Sequence, residues 1–167
     1  RAKVRTPLED VQARGAGLAL ARAYFTLEGD KKVPLTGPVK QGADVYVELT
    51  LDARPDDRWR SVRSAYTVLE DAIPAGFTVL QEDKAYRGAP LALPLTHEAV
   101  KKRAFTPERI TWYLEEKAFW SASPRVLGYV LRANFPGTFV APPATLEDMY
   151  SSQVSARTAS ARLSIVK

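Results

Sequence analysis

Between residues 43 and 52 apolar and polar side chains alternate without a break. Val45, Val47, Leu49 and Leu51 fall on one side, and Tyr46, Glu48, Thr50 and Asp52 on the other. Successive side chains of a strand point to opposite faces, so this stretch reads as a half-buried strand with one wet face, the signature of an antiparallel sheet. The same period recurs over residues 18–27, where Leu18, Leu20, Arg22 and Tyr24 share a face. It returns, more weakly, over 62–73 and 77–80. Residues 109–116 place Ile110, Trp112 and Leu114 inside, and a further strand has Leu127, Tyr129, Leu131, Ala133 and Phe135 inside with Arg132 and Asn134 outside. Residues 156–166 close the chain as a last strand. Glu28-Gly29-Asp30 with Lys31-Lys32, the run Arg54-Pro55-Asp56-Asp57 and Pro74-Ala75-Gly76 supply turns and loops. The sole predicted helix opens on Thr96, an N-cap residue, and runs to about Arg103. Seven or so strands joined by Gly/Pro turns predict an all-β, two-sheet antiparallel sandwich with one short helix. Residues 1–16 are polar and read as a leading linker or extended segment, and 17–167 as the domain.

The stretch from 134 to 150 breaks this rhythm. It holds Pro136, Pro142 and Pro143, three of the twelve prolines, and ends on the only methionine, Met149, beside Tyr150. Pro136-Gly137 predicts a tight turn, since proline presets φ and glycine accepts positive φ. Pro142-Pro143 forces extended, ladder-poor backbone, which predicts an exposed, shaped loop over 141–150. A plain crossover between strands and a recognition loop both fit that pattern.

Composition narrows the chemistry. A length of 167 residues suits one domain with a real core, and 46% hydrophobic residues is ordinary for a globular protein. No apolar run approaches the roughly 20 residues of a spanning helix, so no membrane insertion is expected. No signal-peptide pattern is present, and the opening Arg-Ala-Lys-Val reads as a piece excised from something longer. The absence of cysteine excludes disulfides, thiolate metal sites and cysteine nucleophiles without fixing the compartment. The net charge of +5 arises from 24 basic and 19 acidic side chains, mixed along the chain as on a solvated surface.

Catalysis finds little support. His97 is the only histidine, which excludes two-histidine metal sites, and no serine sits in a nucleophile-elbow context. His97 reads as solvent-facing. The pairs Asp56-Asp57, Glu82-Asp83, Glu115-Glu116 and Glu147-Asp148 are neighbours, so on a strand their members point to opposite faces. They lack calcium-loop spacing and read as surface charge, Glu147 and Asp148 facing solvent. No catalytic residue, metal ligand or cofactor is therefore expected. Arg58-Trp59-Arg60 with Arg63 and Tyr66 interleaves bases and rings as a stacking platform does, and Lys101-Lys102-Arg103 adds a basic cluster. Asp56, Asp57, Glu70 and Asp71 flank the first group and repel phosphates, so nucleic acid is not the expected partner. Recognition by the loops at the sandwich ends remains open.

Two segments carry a family resemblance. Asp71-Ala72-Ile73-Pro74-Ala75-Gly76-Phe77 resembles the D-x-x-P-A-G-F segment near the end of bacterial alpha-2-macroglobulin-like proteins. The run Gly128-Tyr129-Val130-Leu131-Arg132-Ala133-Asn134-Phe135-Pro136-Gly137-Thr138-Phe139, then Pro142-Pro143 and Met149-Tyr150, resembles the same family's path from a tyrosine-x-x-arginine strand to its Met-Tyr loop. Residues 17–24 and 42–51 resemble its opening strands, so the likeness covers about 17–167. It implies the terminal, receptor-binding-type macroglobulin-like domain of a broad-spectrum protease trap that is periplasmic or extracellular, with the parent lipid-anchored in some cases. Its implied partners are the other domains of the parent chain, including a thioester domain and adjacent macroglobulin-like domains, and target proteases through the parent. The family's thioester arises from Cys-x-x-Gln in a separate domain, a motif absent here. The resemblance further implies that Met149 and Tyr150 shield that thioester, with Pro142 and Pro143 bracing the loop. A free-standing exported adhesion or ligand-binding sandwich is the alternative.

Overall fold

Strand periodicity governs the computed structural model, which describes residues 6–28, 31–53, 66–80, 100–115, 124–151 and 154–167. Fourteen strands follow one another among them. The first seven are β1 (Arg14–Ala16), β2 (Leu18–Glu28), β3 (Lys31–Pro34), β4 (Val39–Lys40), β5 (Asp44–Ala53), β6 (Tyr66–Ala72) and β7 (Phe77–Val79). The rest are β8 (Val100–Phe105), β9 (Arg109–Glu115), β10 (Arg125–Ala133), β11 (Gly137–Ala141), β12 (Thr145–Asp148), β13 (Ser155–Arg157) and β14 (Ala161–Val166). They assemble into a six-stranded sheet in the order β1-β13-β12-β6-β9-β8, a five-stranded sheet β3-β2-β5-β10-β7, and a three-stranded sheet β11-β14-β4. The β14–β4 pair is parallel.

The core lies where the five- and six-stranded sheets meet. Val45, Val47, Leu49 and Leu51 of β5 and Leu127, Tyr129 and Leu131 of β10 are at most 2% exposed. Leu69, Ile110, Trp112 and Leu114 of β6 and β9 oppose them, equally buried. The rings of Trp112 and Tyr129 meet at 5.8 Å, tilted by 52°, an offset arrangement that aromatic quadrupoles favour. Along β5 and β10, Val47 faces Tyr129 and Leu49 faces Leu127, so cross-strand neighbours bury the same face together. The inward residues expected on β5 and β9, and on β10 as far as Ala133, are all buried.

Departures from the expected alternation each have a partner that explains them. Tyr46, expected on the wet face of β5, is fully buried with Val130, packed by Phe25, Leu27 and Leu80. The outer face of the five-stranded sheet thus carries a second, small core. Gly128 of β10 makes room for it, because a Cβ there would overlap the Tyr46 ring. Lys31 and Lys32, read as turn residues, belong to β3, and the Lys32 amine stands 5.1 Å from the Phe25 ring centroid. Of the helix expected over 96–103, residues 96–99, His97 included, lie outside the described residues. The remainder is strand: Val100, Lys102 and Arg103 pair with Leu114, Tyr113 and Trp112 around a bulge. The ladder offered by β9 outweighs a weak local helix preference. The one helical turn among the described residues is a 3-10 turn at Leu8–Asp10.

Two further expectations change. Phe135 is 67% exposed, because β10 ends at Ala133 and the N–H groups of Asn134 and Phe135 both donate to the Gly76 carbonyl, bending the chain. The last strand is divided into β13 and β14. Upstream, Arg14–Ala16 forms β1 and pairs with β13, Gly15 facing Ala156. Arg58, Trp59, Arg60 and Arg63 lie outside the described residues.

Asp71, expected to repel phosphates beside the Arg58 group, is buried. Strand phase puts it on the inner face with Leu69, where Arg22 Nη1 donates to its Oδ1 at 2.5 Å. The two side chains are 2% and 0% exposed. The Tyr129 hydroxyl donates to Asp71 Oδ2 at 2.8 Å, and the Arg22 guanidinium lies 5.4 Å from the Tyr24 ring centroid. Burial pushes the Asp71 carboxyl up, while Arg22 and Tyr129 oppose the shift. Desolvation works against the Arg22 charge, but the adjoining carboxylate holds its pKa above the usual value. Burial and that same carboxylate raise the Tyr129 hydroxyl, which keeps it a donor.

Leu131→Ala removes a fully buried side chain and should cost about 2–5 kcal/mol. Asp71→Ala strands a buried guanidinium and should cost about 3–5 kcal/mol. Urea unfolding measures both, and a loss under about 1 kcal/mol for either one would contradict this core.

Candidate functional site

Residues 137–151 and 154–165 form one long two-stranded ribbon. Gly137 to Ala141 of β11 face Ile165 to Ala161 of β14, and Thr145, Leu146 and Glu147 of β12 face Arg157, Ala156 and Ser155 of β13. Three residues on each side separate the halves, so the register carries through. They are Pro142, Pro143 and Ala144 on one strand and Thr158, Ala159 and Ser160 on the other. Proline has no N–H for the ladder, and at this point the ribbon bends out of the three-stranded sheet into the six-stranded one. Thr158 fastens the far side of the bend. Its N–H donates to the Ala144 carbonyl at 3.0 Å, and its hydroxyl accepts the Ala144 N–H at 2.9 Å. Arg22 Nη2 reaches in from β2 and donates to the carbonyls of Ala141 and Ala159, each at 3.3 Å.

The exposed loop expected over 141–150 is therefore half strand, Ala141 closing β11 and Thr145–Asp148 forming β12. β12 lies between β13 and β6, with Leu146 fully buried and facing Leu69. Burial of that leucine and two ladders fix the segment. Only the tip beyond Asp148 stands clear. Alternation along β12 sends Glu147 outward and Asp148 inward, so Asp148, expected in solvent, is buried. Asp148 Oδ1 accepts the N–H groups of Tyr150 and Ser151 at 2.6 and 2.8 Å, an Asx arrangement that closes the turn. The Met149 N–H donates to the Tyr66 carbonyl at 3.1 Å, and the Tyr150 ring rests against the Tyr66 ring at 6.4 Å. Asp148 N–H to the Val154 carbonyl and Val154 N–H to the Ser151 carbonyl complete the tip.

The backbone of the tip is thus tied down while its side chains face outward. Met149 is 56% exposed and Tyr150 77%. The structure groups these two with Tyr66 at one end of the ribbon and places the half-buried Pro142 and Pro143 at its bend. The four residues of β12, roughly 13 Å of strand, separate the two places. Such a tip suits contact rather than chemistry: methionine adapts to irregular surfaces and tyrosine offers a broad ring with a polar end. Among the described residues no three His, Cys, Asp or Glu side chains are grouped to hold a metal ion. Sequence reasoning missed Asp148, Tyr66 and Arg22 here. Asp148 had a local signal, an aspartate two and three residues before the amides it holds. Tyr66 and Arg22 had none, since they arrive from distant strands.

Asp148→Ala should speed hydrogen exchange at the Tyr150 and Ser151 amides at a cost of about 1 kcal/mol, with Asp148→Asn milder because it keeps an acceptor. Unchanged exchange in Asp148→Ala would show that the turn holds without its carboxylate.

Comparison with known proteins places this geometry in a family setting. Residues 17–153 match the family described as the bacterial alpha-2-macroglobulin MG10 domain. The alpha-2-macroglobulin of Xylella fastidiosa (strain 9a5c) is 26% identical over 164 residues, which is 90% of this chain and 9% of that protein. The chain thus spans about a tenth of the length of the curated relatives it matches. Native Escherichia coli alpha-2-macroglobulin, solved from domain MG7 to the C-terminus, shares the fold with a TM-score of 0.75 at 21% identity, covering 96% of this chain and 25% of that one. Salmonella alpha-2-macroglobulin reacted with methylamine does so with a TM-score of 0.73 at 19% identity, covering 96% of this chain and 10% of that one.

Proposed function

Because the chain belongs to the bacterial alpha-2-macroglobulin MG10 domain family, we propose that it is a non-catalytic module of a protease-trapping chain, and that its hairpin tip covers the thioester of a neighbouring domain. The observation that carries this reading is the tip itself. Two large side chains, Met149 and Tyr150, are held out in solvent on a backbone tied down by Asp148 and Tyr66. A fixed ledge of exposed apolar surface serves docking better than it serves an isolated surface. The reactive group belongs elsewhere in the parent, since this chain has no cysteine from which to build it. A relative recovered as a methylamine-reacted protein supports a small-amine-sensitive bond in such chains. The module's partners are then the other domains of its parent, and it meets proteases only through that parent. Pro142 and Pro143 serve as the brace of the hairpin. The setting is periplasmic or extracellular, where a trap meets foreign proteases, and no helix among the described residues is long and apolar enough to cross a membrane.

A thioester is lost to water and to small amines, so its lifetime depends on a dry cover. Met149→Ala with Tyr150→Ala in the full-length protein should release free thiol faster in methylamine while leaving the sandwich folded, because changes at an exposed tip rarely unfold a domain. Starting from an intact thioester, an unchanged release rate in a folded variant would remove the tip from the mechanism.

The purified domain alone should neither hydrolyse peptides nor inhibit proteases, since bait and thioester lie outside it. Stoichiometric inhibition of any member of a protease panel by this fragment would overturn the modular reading.

A further inference from the structure

We propose that Arg22 is the positioning residue of the hairpin tip: its guanidinium sets the bend at Pro142-Pro143 and through it the place of Met149 and Tyr150. The functional half of this inference rests on the reading of the tip as a cover. The geometric half stands without it.

At the bend the two strands of the ribbon lose part of their means of holding each other, because two consecutive residues bring no N–H. Arg22 supplies donors at that point. Its Nη2 takes one carbonyl from each strand, Ala141 on one and Ala159 on the other, while Nη1 is anchored on Asp71. The guanidinium is thus a three-way junction between β2 of the five-stranded sheet, β6 of the six-stranded sheet and the ribbon. A planar fork with donors at fixed angles transmits direction as well as charge, which a lysine amine on a flexible stem does not.

The strand that anchors Arg22 also anchors the tip. Asp71 stands near one end of β6, and Tyr66 at the other end accepts the Met149 N–H and packs its ring at a tilt against Tyr150. Five residue steps, roughly 17 Å of strand, lie between them. β6 therefore acts as a ruler, tied at one end to the bend through Arg22 and at the other to the tip. In between, β12 is laddered to it from Thr145 opposite Glu70 to Asp148 opposite Thr67. Releasing the Arg22 end leaves two carbonyls at the bend without their donor and lets the base of the ribbon swing relative to its tip.

The test uses the full-length protein with spin labels at Thr138 on the base arm and Glu147 on the tip arm, both exposed. A control pair at the exposed Ala21 and Ala75 lies off the ribbon. Two backgrounds are compared with the parent. Arg22→Lys keeps the ion pair and loses the fork. Arg22→Met with Asp71→Asn removes both charges together, so folding does not hinge on a stranded ion. In either background the 138–147 distance should shift or broaden by about 3 Å, on the order of one residue's rise, with the control pair unmoved. Free-thiol release in methylamine should quicken in parallel. An unchanged 138–147 distribution in folded variants overturns the proposal. So does equal movement of the control pair, which means general loosening. A shifted bend with unaltered thiol release upholds Arg22 as the positioning residue and counts against the cover reading instead.

Discussion

A guanidinium and a carboxylate, both withdrawn from water, tie the two main sheets together at Arg22 and Asp71. Burying such ions costs several kcal/mol each unless their hydrogen-bonding capacity is used. Here it is used: Arg22 spends its two terminal nitrogens on Asp71, Ala141 and Ala159, and Asp71 receives Arg22 on one oxygen and Tyr129 on the other. The apolar faces around them are adhesive but non-directional, and a slide of one sheet over the other changes little buried area. A directional pair with three strands' worth of partners admits one alignment. The ion pair thus selects the arrangement that Leu49, Trp112, Tyr129 and Leu131 stabilise.

The ribbon shows how a sheet protein makes a rigid projection without a helix. Its base is two strands of the three-stranded sheet, its middle is interrupted by prolines, and its outer half is embedded in the six-stranded sheet. Each interruption is answered locally, by Thr158 on Ala144 and by Arg22 on the carbonyls beside the bend. The tip inherits this order through Asp148 and Tyr66, so its two large side chains are exposed without the backbone beneath them being loose.

What was legible in the sequence was the part governed by period two. The inner faces of β5 and β9, and of β10 as far as Ala133, followed from alternation alone, and so did the sandwich. Local rules failed where a distant partner decided the outcome. Val100–Phe105 carries no strong strand pattern and becomes one because β9 lies beside it. Asp148 read as surface charge because adjacent acids usually are, and Asp71 as an acid flanking a basic cluster, yet strand phase turned both inward. The Met-Tyr pair was visible as an oddity of composition. Of the residues tied to it, Asp148 left a local signal, while Tyr66 and Arg22 left none, because Tyr66 precedes Met149 by more than eighty positions and Arg22 by more than a hundred.

Tyr46 and Gly128 lie on neighbouring strands of the outer face, the ring of one filling the space that a Cβ on the other would take. Neither has freedom of its own. A larger residue at 128 collides with a ring that has nowhere to turn, and a smaller one at 46 leaves a void under Phe25 and Leu27. Any route by which a lineage exchanges this pair for another must pass through an intermediate that is either overfilled or hollow. The two positions, eighty-two residues apart in the chain, therefore act as one unit of packing, in which a change at either is costly without a change at the other.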